Sequence, residues 1–230
     1  WQGFSAYRNN SNNQKFSHVA WSVSYKNQMC ESFESSGLFK ENSHLQYNEN
    51  TMTISFPKQK FNIIYADPPW SYRDKASSGN RGASFKYPVQ SQEWICDLPV
   101  QDISANDCVL FLWVTMPHLG AVMQVIERWG FVYKTCAFTW VKRNKIKPTW
   151  FMGMGNWTRS NSELCLLGTK GKPKRVDASV HSVIDTPIER HSKKPDVVRE
   201  RIVQLCGDLP RIELFAREKT DGWDVWGNEV

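Results

Sequence analysis

Apolar residues fall along this chain in short runs separated by polar turns, and from Phe61 onward the period of those runs alternates. Residues 61–66 (FNIIYA) and 108–114 (CVLFLWV) are almost unbroken, as strands covered on both faces are. After the second run, Thr115 and Pro117 open a helix. Its Leu119, Val122, Met123 and Ile126 share a face, and Gly130 stops it. Further strands are expected near 134–142, 163–167 and 178–184. Pro195 starts another helix with Val198, Ile202, Leu205 and Cys206 on its apolar side and Gly207 at its end, and 211–216 forms the last clear strand. Strand alternating with helix predicts a mostly parallel sheet in a Rossmann-like three-layer α/β/α sandwich. Residues 1–57 break this pattern. They are rich in Asn, Ser and Gln, lack a helical period, and read as an irregular extension of unassigned role, with one folded domain over 58–230.

The segment Asp67-Pro68-Pro69-Trp70 stands directly behind the first buried run, at the carboxyl end of a strand where open α/β sheets bind ligands. Asp and Pro are also ordinary punctuation at such a junction. Two prolines fix φ and carry no N–H, so the turn is stiff and its carbonyls are expected to be free acceptors. Asp67 and the Pro68 carbonyl are then placed to accept the two hydrogens of an exocyclic amine, with Trp70 stacked on the attached ring. That arrangement suits N6 of adenine, whose lone pair is otherwise delocalised. Positioning and acceptors aimed at a developing charge make such a nitrogen nucleophilic.

Composition narrows the partners. The chain has 230 residues, enough for one α/β domain plus an extension. A formal charge of +6 fits a polyanionic partner, although many basic enzymes bind none. Its 11 tryptophans are many for this length and point to stacking surfaces in grooves. The six cysteines form no CxxC pair and sit among apolar neighbours, so free core thiols, a reducing compartment and no zinc site are expected. His118, His181 and His191 have no spacing for a metal or a relay and read as ordinary residues. No 18-residue apolar stretch or signal-type start is present, which makes an intracellular protein the expectation, in a bacterial or phage-infected cytoplasm or a nucleus. Because the chain opens on Trp1, its natural start is expected upstream.

Three later segments carry further candidates. Ser192-Lys193-Lys194-Pro195-Asp196 puts cations beside helix N–H groups, a corner for a carboxylate, though paired lysines are also common on solvated faces. The strand through Glu213 and Phe215 delivers Arg217 at its end, where Glu and Arg could bracket a ribose or simply pair with each other. The terminal Trp223-Asp224-Val225-Trp226-Gly227-Asn228-Glu229 carries amide and carboxylate groups suited to purine and sugar, or is a frayed tail.

Taken in order, Ala66-Asp67-Pro68-Pro69-Trp70, Leu110-Phe111-Leu112-Trp113-Val114, Trp140-Val141-Lys142, the run from Glu163 to Gly171, Lys194-Pro195-Asp196, Ile212 to Arg217 and Gly227-Asn228 closely resemble the MT-A family of adenine-N6 methyltransferases. The resemblance covers roughly residues 60–229. The segment from Met152 to Arg159 looks most like the compact phage and bacterial members. The resemblance implies a methyltransferase domain over 58–230 with permuted motif order, the catalytic motif preceding the cofactor motif, and S-adenosylmethionine as cofactor. It makes Asp67, Pro68, Pro69 and Trp70 the catalytic motif, with Asp67 also near the methionine amine. It assigns Lys194, with Ser192, to the cofactor carboxylate. Glu213, Phe215 and Arg217 fall to the adenosyl group, and Asn228 with Glu229 to the adenosine. Tyr87 matches a gate-loop aromatic, and Glu163 and Trp157 match residues near the target adenine. The chain departs from the family in carrying Lys219 and Thr220 for the common His and Asn, and Glu229 for Gln. It also shows no acidic–aliphatic pair before the catalytic strand.

On the substrate side, cations cluster after three strands: Arg73, Lys75, Arg81 and Lys86; Lys142, Arg143, Lys145 and Lys147; and Lys170, Lys172, Lys174 and Arg175. Trp150, Phe151 and Trp157 interleave with the second group, and Arg159 follows them. Cation plus aromatic is the composition of a nucleic-acid groove, and the three clusters are expected to share one face, though solvated loop charge reads the same way. The expected activity is methylation of adenine N6 in DNA by direct in-line displacement, without a metal. The alternatives are the same chemistry on RNA and a silent nucleic-acid-binding subunit of a methyltransferase complex. The sequence leaves the oligomeric state open, with a homodimer and a heterodimer both among the possibilities.

Overall fold

A computed structural model describes residues 56–71, 90–155 and 157–230. Within them a seven-stranded sheet carries helices on both faces, the α/β sandwich that alternating runs imply. The elements in chain order are β1 (Phe61–Ala66), α1 (Gln92–Asp97), α2 (Val100–Ile103), β2 (Ser104–Val114), α3 (Leu119–Arg128), β3 (Val132–Arg143), β4 (Ser162–Lys170), β5 (Val183–Pro187), α4 (Val197–Cys206), β6 (Arg211–Leu214) and β7 (Asp224–Trp226). Their order across the sheet is β5-β3-β4-β2-β1-β6-β7. Neighbours run parallel except at β4, which opposes both β2 and β3.

β1 from Ile63 and β2 from Cys108 are apolar because the two faces they separate are both covered. Ile64 and Ala66 point into a core with Ile95 of α1, Val100 of α2, and Val122, Val125 and Ile126 of α3. Ile63 and Tyr65 point into a second core with Phe111, Trp113, Phe138 and Trp140, closed by Val198, Ile202 and Cys206 of α4. Phe61 joins the first core although its parity matches Ile63, since the β1–β2 register shifts between Phe61 and Ile63.

Several boundaries differ from expectation, each for a tertiary reason. The buried stripe of α3 is Val122, Val125 and Ile126, while Leu119 and Met123 stay exposed, because a 3-10 turn at Met116–His118 rotates the helix entry. The fifth strand starts at Val183, where pairing with Thr139 of β3 begins, and the preceding Asp177–Ser179 stretch is a turn held by the Asp177 carboxylate. The last helix begins at Val197, after a turn in which Val198 donates to the Pro195 carbonyl. β6 stops at Leu214 because Phe215 turns to positive φ. No helix among the described residues is long and apolar enough to cross a membrane.

Candidate active site

Three parallel strands, β1, β6 and β7, finish on one rung, and β2 runs two residues past it. Ala66 pairs with Leu112 and with Leu214, and Leu214 pairs with Trp226. Asp67, Phe215 and Gly227, each one residue past that rung, therefore line one cleft of about 220 Å³. Because β4 runs the other way, its amino end reaches the same edge. Leu164 pairs with Val114, so Glu163 stands beside Thr115 in the cleft wall. The loop before α4 adds Ser192 and Lys194.

The Asp67-Pro68-Pro69-Trp70 turn is bolted down. Its carbonyls are not free, which corrects the expectation: Trp70 N–H donates to the Pro68 carbonyl at 2.8 Å and Gln90 N–H donates to that of Pro69 at 3.0 Å. A carbonyl has two lone pairs, so Pro68 keeps one acceptor site. Trp70 lines the cleft with only 5% of its surface exposed. Its indole N–H donates to the Trp113 carbonyl at 3.1 Å and its ring stacks on His118 at 5.4 Å. Little of its face is left for a ligand, so the expected stacking platform is largely spent on the protein. His118 is no bystander either. One ring nitrogen lies 3.0 Å from the Ser71 carbonyl and the other 3.1 Å from the Thr115 hydroxyl. A neutral ring that donates to Ser71 and accepts from Thr115 satisfies both contacts and braces the turn from behind.

Charge alternates through Lys142, Glu163, Lys194 and Asp67, of which the last three line the cleft. Lys194 Nζ lies 2.6 Å from Asp67 and 3.3 Å from Glu163, and Lys142 pairs with the other Glu163 oxygen. Burial works against the Lys194 charge, but the two carboxylates outweigh it and raise its pKa, so it stays an ammonium. Burial also pushes Glu163 upward, yet Lys194 and Lys142 together bring its carboxyl below the usual range. Asp67 has one strong cationic neighbour, and there burial wins, holding its carboxyl above the ordinary value. The adjacent Lys193 belongs to no part of this chain of charge. It is bound to Glu189 at 2.8 Å and Asp196 at 2.7 Å.

The opposite wall follows β6. Phe215 at φ 63 meets Trp226 edge-on at 5.5 Å, and Ser192 in the facing loop sits at φ 60. These are the two non-glycine residues of positive φ among those described, and both line the cleft. Arg217 donates to the Glu229 carboxylate at 3.0 Å and to the His191 carbonyl at 2.9 Å, tying the terminal segment down, so this end is no frayed tail. Asn228 and Glu229 line the cleft beside it. Glu213 does not. It is 8% exposed, and both its oxygens accept from Arg199 of α4, at 2.7 and 3.0 Å. This bidentate buried pair engages both oxygens and ties β6 to α4.

The remaining expected residues scatter. Tyr87 and the first basic cluster (Arg73, Lys75, Arg81, Lys86) lie outside the described residues. Trp157 and Arg159 stand on the β3–β4 loop, exposed. Arg143 is held bidentate by Asp185, at 2.7 and 2.6 Å, with Trp150 under its guanidinium at 3.9 Å. The third cluster corrects the expectation of one shared face. β4 enters at the cleft and runs away from it, so Lys170 and the cations after it lie at the other end of a nine-residue strand, about 27 Å off at ordinary strand rise. Gln90, Trp94 and Thr115 line the cleft without having been anticipated. Thr115 could have been found from its place one residue past a buried strand. Trp94 could not, since α1 buries one residue and carries no period. Among the described residues no group of His, Cys, Asp and Glu is arranged to hold a metal ion.

The MT-A70 family model matches residues 61–229. The chain is 37% identical over 192 residues to the type II methyltransferase M.MunI of a Mycoplasma species, a match covering 76% of this chain and 79% of that protein. It is 30% identical over 176 residues to the putative N(6)-adenosine-methyltransferase MT-A70-like of Medicago truncatula, covering 74% of this chain and 26% of that protein. Against the human N(6)-adenosine-methyltransferase catalytic subunit METTL3 it is 28% identical over 175 residues, covering 74% and 28%. The chain thus spans most of the first relative and little more than a quarter of the other two.

Proposed function

The chain belongs to the MT-A70 family of methyltransferases, and from that footing we propose that it methylates N6 of adenine in DNA with S-adenosylmethionine as donor. The observation that carries the reading is the pairing, inside one cleft at the strand ends, of the Asp67 carboxylate with the Lys194 ammonium. The cleft residues fit the donor. An ammonium beside a carboxylate suits the two charges of an amino acid. The Phe215 and Trp226 walls, with Arg217 and Asn228, suit an adenosyl group.

Lys194 and Ser192 would hold the donor carboxylate and Asp67 its amine. When bound, S-adenosylmethionine supplies an electrophilic methyl group on a sulfonium, so neither a metal nor a covalent enzyme intermediate is required. Asp67 and the remaining lone pair of the Pro68 carbonyl would accept the hydrogens of the adenine amine and turn the nitrogen lone pair out of conjugation, and Asp67 would take the proton that the nitrogen sheds on methylation. With Trp70 committed to the protein, Trp94, partly exposed in the same cleft, offers the aromatic surface for the base. Glu163, itself paired with Lys142, keeps Lys194 oriented and charged.

DNA is favoured because the relative matched along most of its length is the type II methyltransferase, while matches to the N(6)-adenosine-methyltransferases span about a quarter of each. Those same matches make RNA the second reading. Tritiated methyl transfer to matched DNA and RNA oligonucleotides in competition separates the two. The expected result is label on N6 of adenine in DNA. Label confined to RNA would replace the substrate, and a folded chain that binds nucleic acid but no donor would point to a silent subunit.

A further inference from the structure

The loop between β3 and β4, in its described residues 144–155 and 157–161, is a built projection rather than slack chain. Phe151 N–H donates to the Lys142 carbonyl at 2.8 Å, and Lys142 N–H donates to that of Asn161 at 2.8 Å. Asn144 N–H donates to the Thr149 carbonyl at 3.0 Å, and the Asn144 side-chain amide to Thr149 and Trp150. Its two arms touch backbone to backbone. A Cβ on Gly153 would come within 1.7 Å of the Ser160 carbonyl oxygen, and one on Gly155 within 2.0 Å of that of Thr158. This stiff frame holds large apolar side chains in water: Trp157 is 100% exposed and Ile146 95%, with Met152, Met154 and Trp150 also exposed. Residues 144–161 include Lys145, Lys147 and Arg159 and no acidic residue.

The geometry points to this loop as the surface that grips the nucleotides flanking the target adenine, with bases stacked on Trp157 and phosphates held by Lys145, Lys147 and Arg159. The inference rests on the reading of the cleft as a nucleic-acid methylation site. Position supports it: the loop leaves β3 just after Lys142 and enters β4 just before Glu163, the cleft-wall residue with which Lys142 pairs. A strand lying on the loop is therefore continuous with a base entering the cleft. Composition supports it as well. Lysines and an arginine beside exposed aromatic rings suit a polyanion with stackable faces. A second copy of the chain would bring the same acid-free, cationic loop or another part of a +6 surface against it, and protein interfaces are depleted in lysine. Trp150 is the fixed part of the platform, its ring already under Arg143. Trp157 is the one with its whole surface to give.

Fluorescence anisotropy with a dye-labelled, adenine-containing DNA oligonucleotide, paired with calorimetric donor binding, tests this in the full chain. Trp157→Ala should weaken oligonucleotide binding by about tenfold or more, the range of a lost base–aromatic stack, and Trp157→Phe should recover most of it. Replacing Lys145, Lys147 and Arg159 together with Gln should flatten the dependence of log affinity on log salt by about 2 to 3. Donor affinity should not change in either variant. Unchanged oligonucleotide affinity and salt slope in both would overturn the inference. So would sedimentation showing that Trp157→Ala splits a wild-type dimer while DNA affinity holds, since the loop would then be a subunit contact. Wild-type protein that binds donor yet neither binds nor methylates any oligonucleotide would instead sink the reading of the cleft itself.

Discussion

The turns after β1 and β6 face each other across one cleft and leave the sheet from the same rung, yet they are made rigid in opposite ways. The first is stiff by composition: two prolines fix its backbone, two carbonyls are already bonded, and the Trp70 ring is stacked on His118. The second is stiff by context. Phe215 takes a left-handed backbone that costs an L-residue about 1–2 kcal/mol, and it is kept there by packing on Trp226. Behind it Ala216 N–H donates to the Trp226 carbonyl at 3.0 Å, and Gly227 lies so close to Ala216 that no side chain fits. The contrast separates two kinds of damage. Changes in the first turn should strike the chemistry and spare the fold, whereas changes around the second should strike folding and donor binding together.

The harshest test of the first half is Asp67→Ala. Losing an acceptor aimed at the reacting amine should lower kcat about 100- to 1,000-fold, with the far-UV circular dichroism unchanged. The pH profile sharpens it. The proposed reaction requires Asp67 ionised, and burial holds its carboxyl above the ordinary value. Activity should therefore fall, as pH drops, at a point above the usual carboxylate range. Lys194→Ala should move that limb higher still, because the ammonium that opposes the burial is gone. An acid limb at the ordinary carboxylate position would detach the rate from Asp67.

Gly227→Ala probes the second half. The added Cβ would sit 2.2 Å from the Ala216 oxygen and 2.8 Å from its nitrogen, both backbone atoms that cannot swing aside. The terminal segment must lift from β6, at a cost of about 1–3 kcal/mol, the usual range for overpacking. Thermal denaturation should show a lowered Tm and calorimetry a weakened donor, while kcat at saturating donor stays near wild type. A kcat loss as large as that of Asp67→Ala would erase the distinction between the two turns.

The same contrast governs what could be read from the residues alone. β1, β2 and the Asp67-Pro68-Pro69-Trp70 turn were legible because their signal is local: an apolar run, then ring-locked residues. The direction of β4 was not. It is set by pairing with Leu112 and Trp113 far along the chain, and missing it put the cations after Lys170 on the wrong side of the sheet. Glu213 reads as a ligand from its place beside a strand end. Only the α4 packing shows that Arg199 engages both its oxygens and that Glu213 stands outside the cleft lining. Ser192 and Phe215 carry no mark in their residue type of the positive φ they adopt, and Gly227 carries no mark of what it presses against. Lys194 was anticipated in the cleft, but its sharing between Asp67 and Glu163 depends on where β4 starts.

The smallest effect should come from His118, which touches the Asp67-Pro68-Pro69-Trp70 turn without lining the cleft. Its ring stacks on Trp70 and contacts the Ser71 carbonyl and the Thr115 hydroxyl, so it acts through the turn rather than on a ligand. His118→Ala removes one stack and two hydrogen bonds at a site that can partly refill with water. A loss near 1 kcal/mol, about fivefold in kcat, is the expectation, with donor affinity held. Added imidazole should restore part of the rate by occupying the vacated site, an outcome that general loosening of the fold would not give. If donor binding fell and kcat did not, the brace would belong to the β6 wall. The rigidity of the first turn would then need no support beyond its prolines.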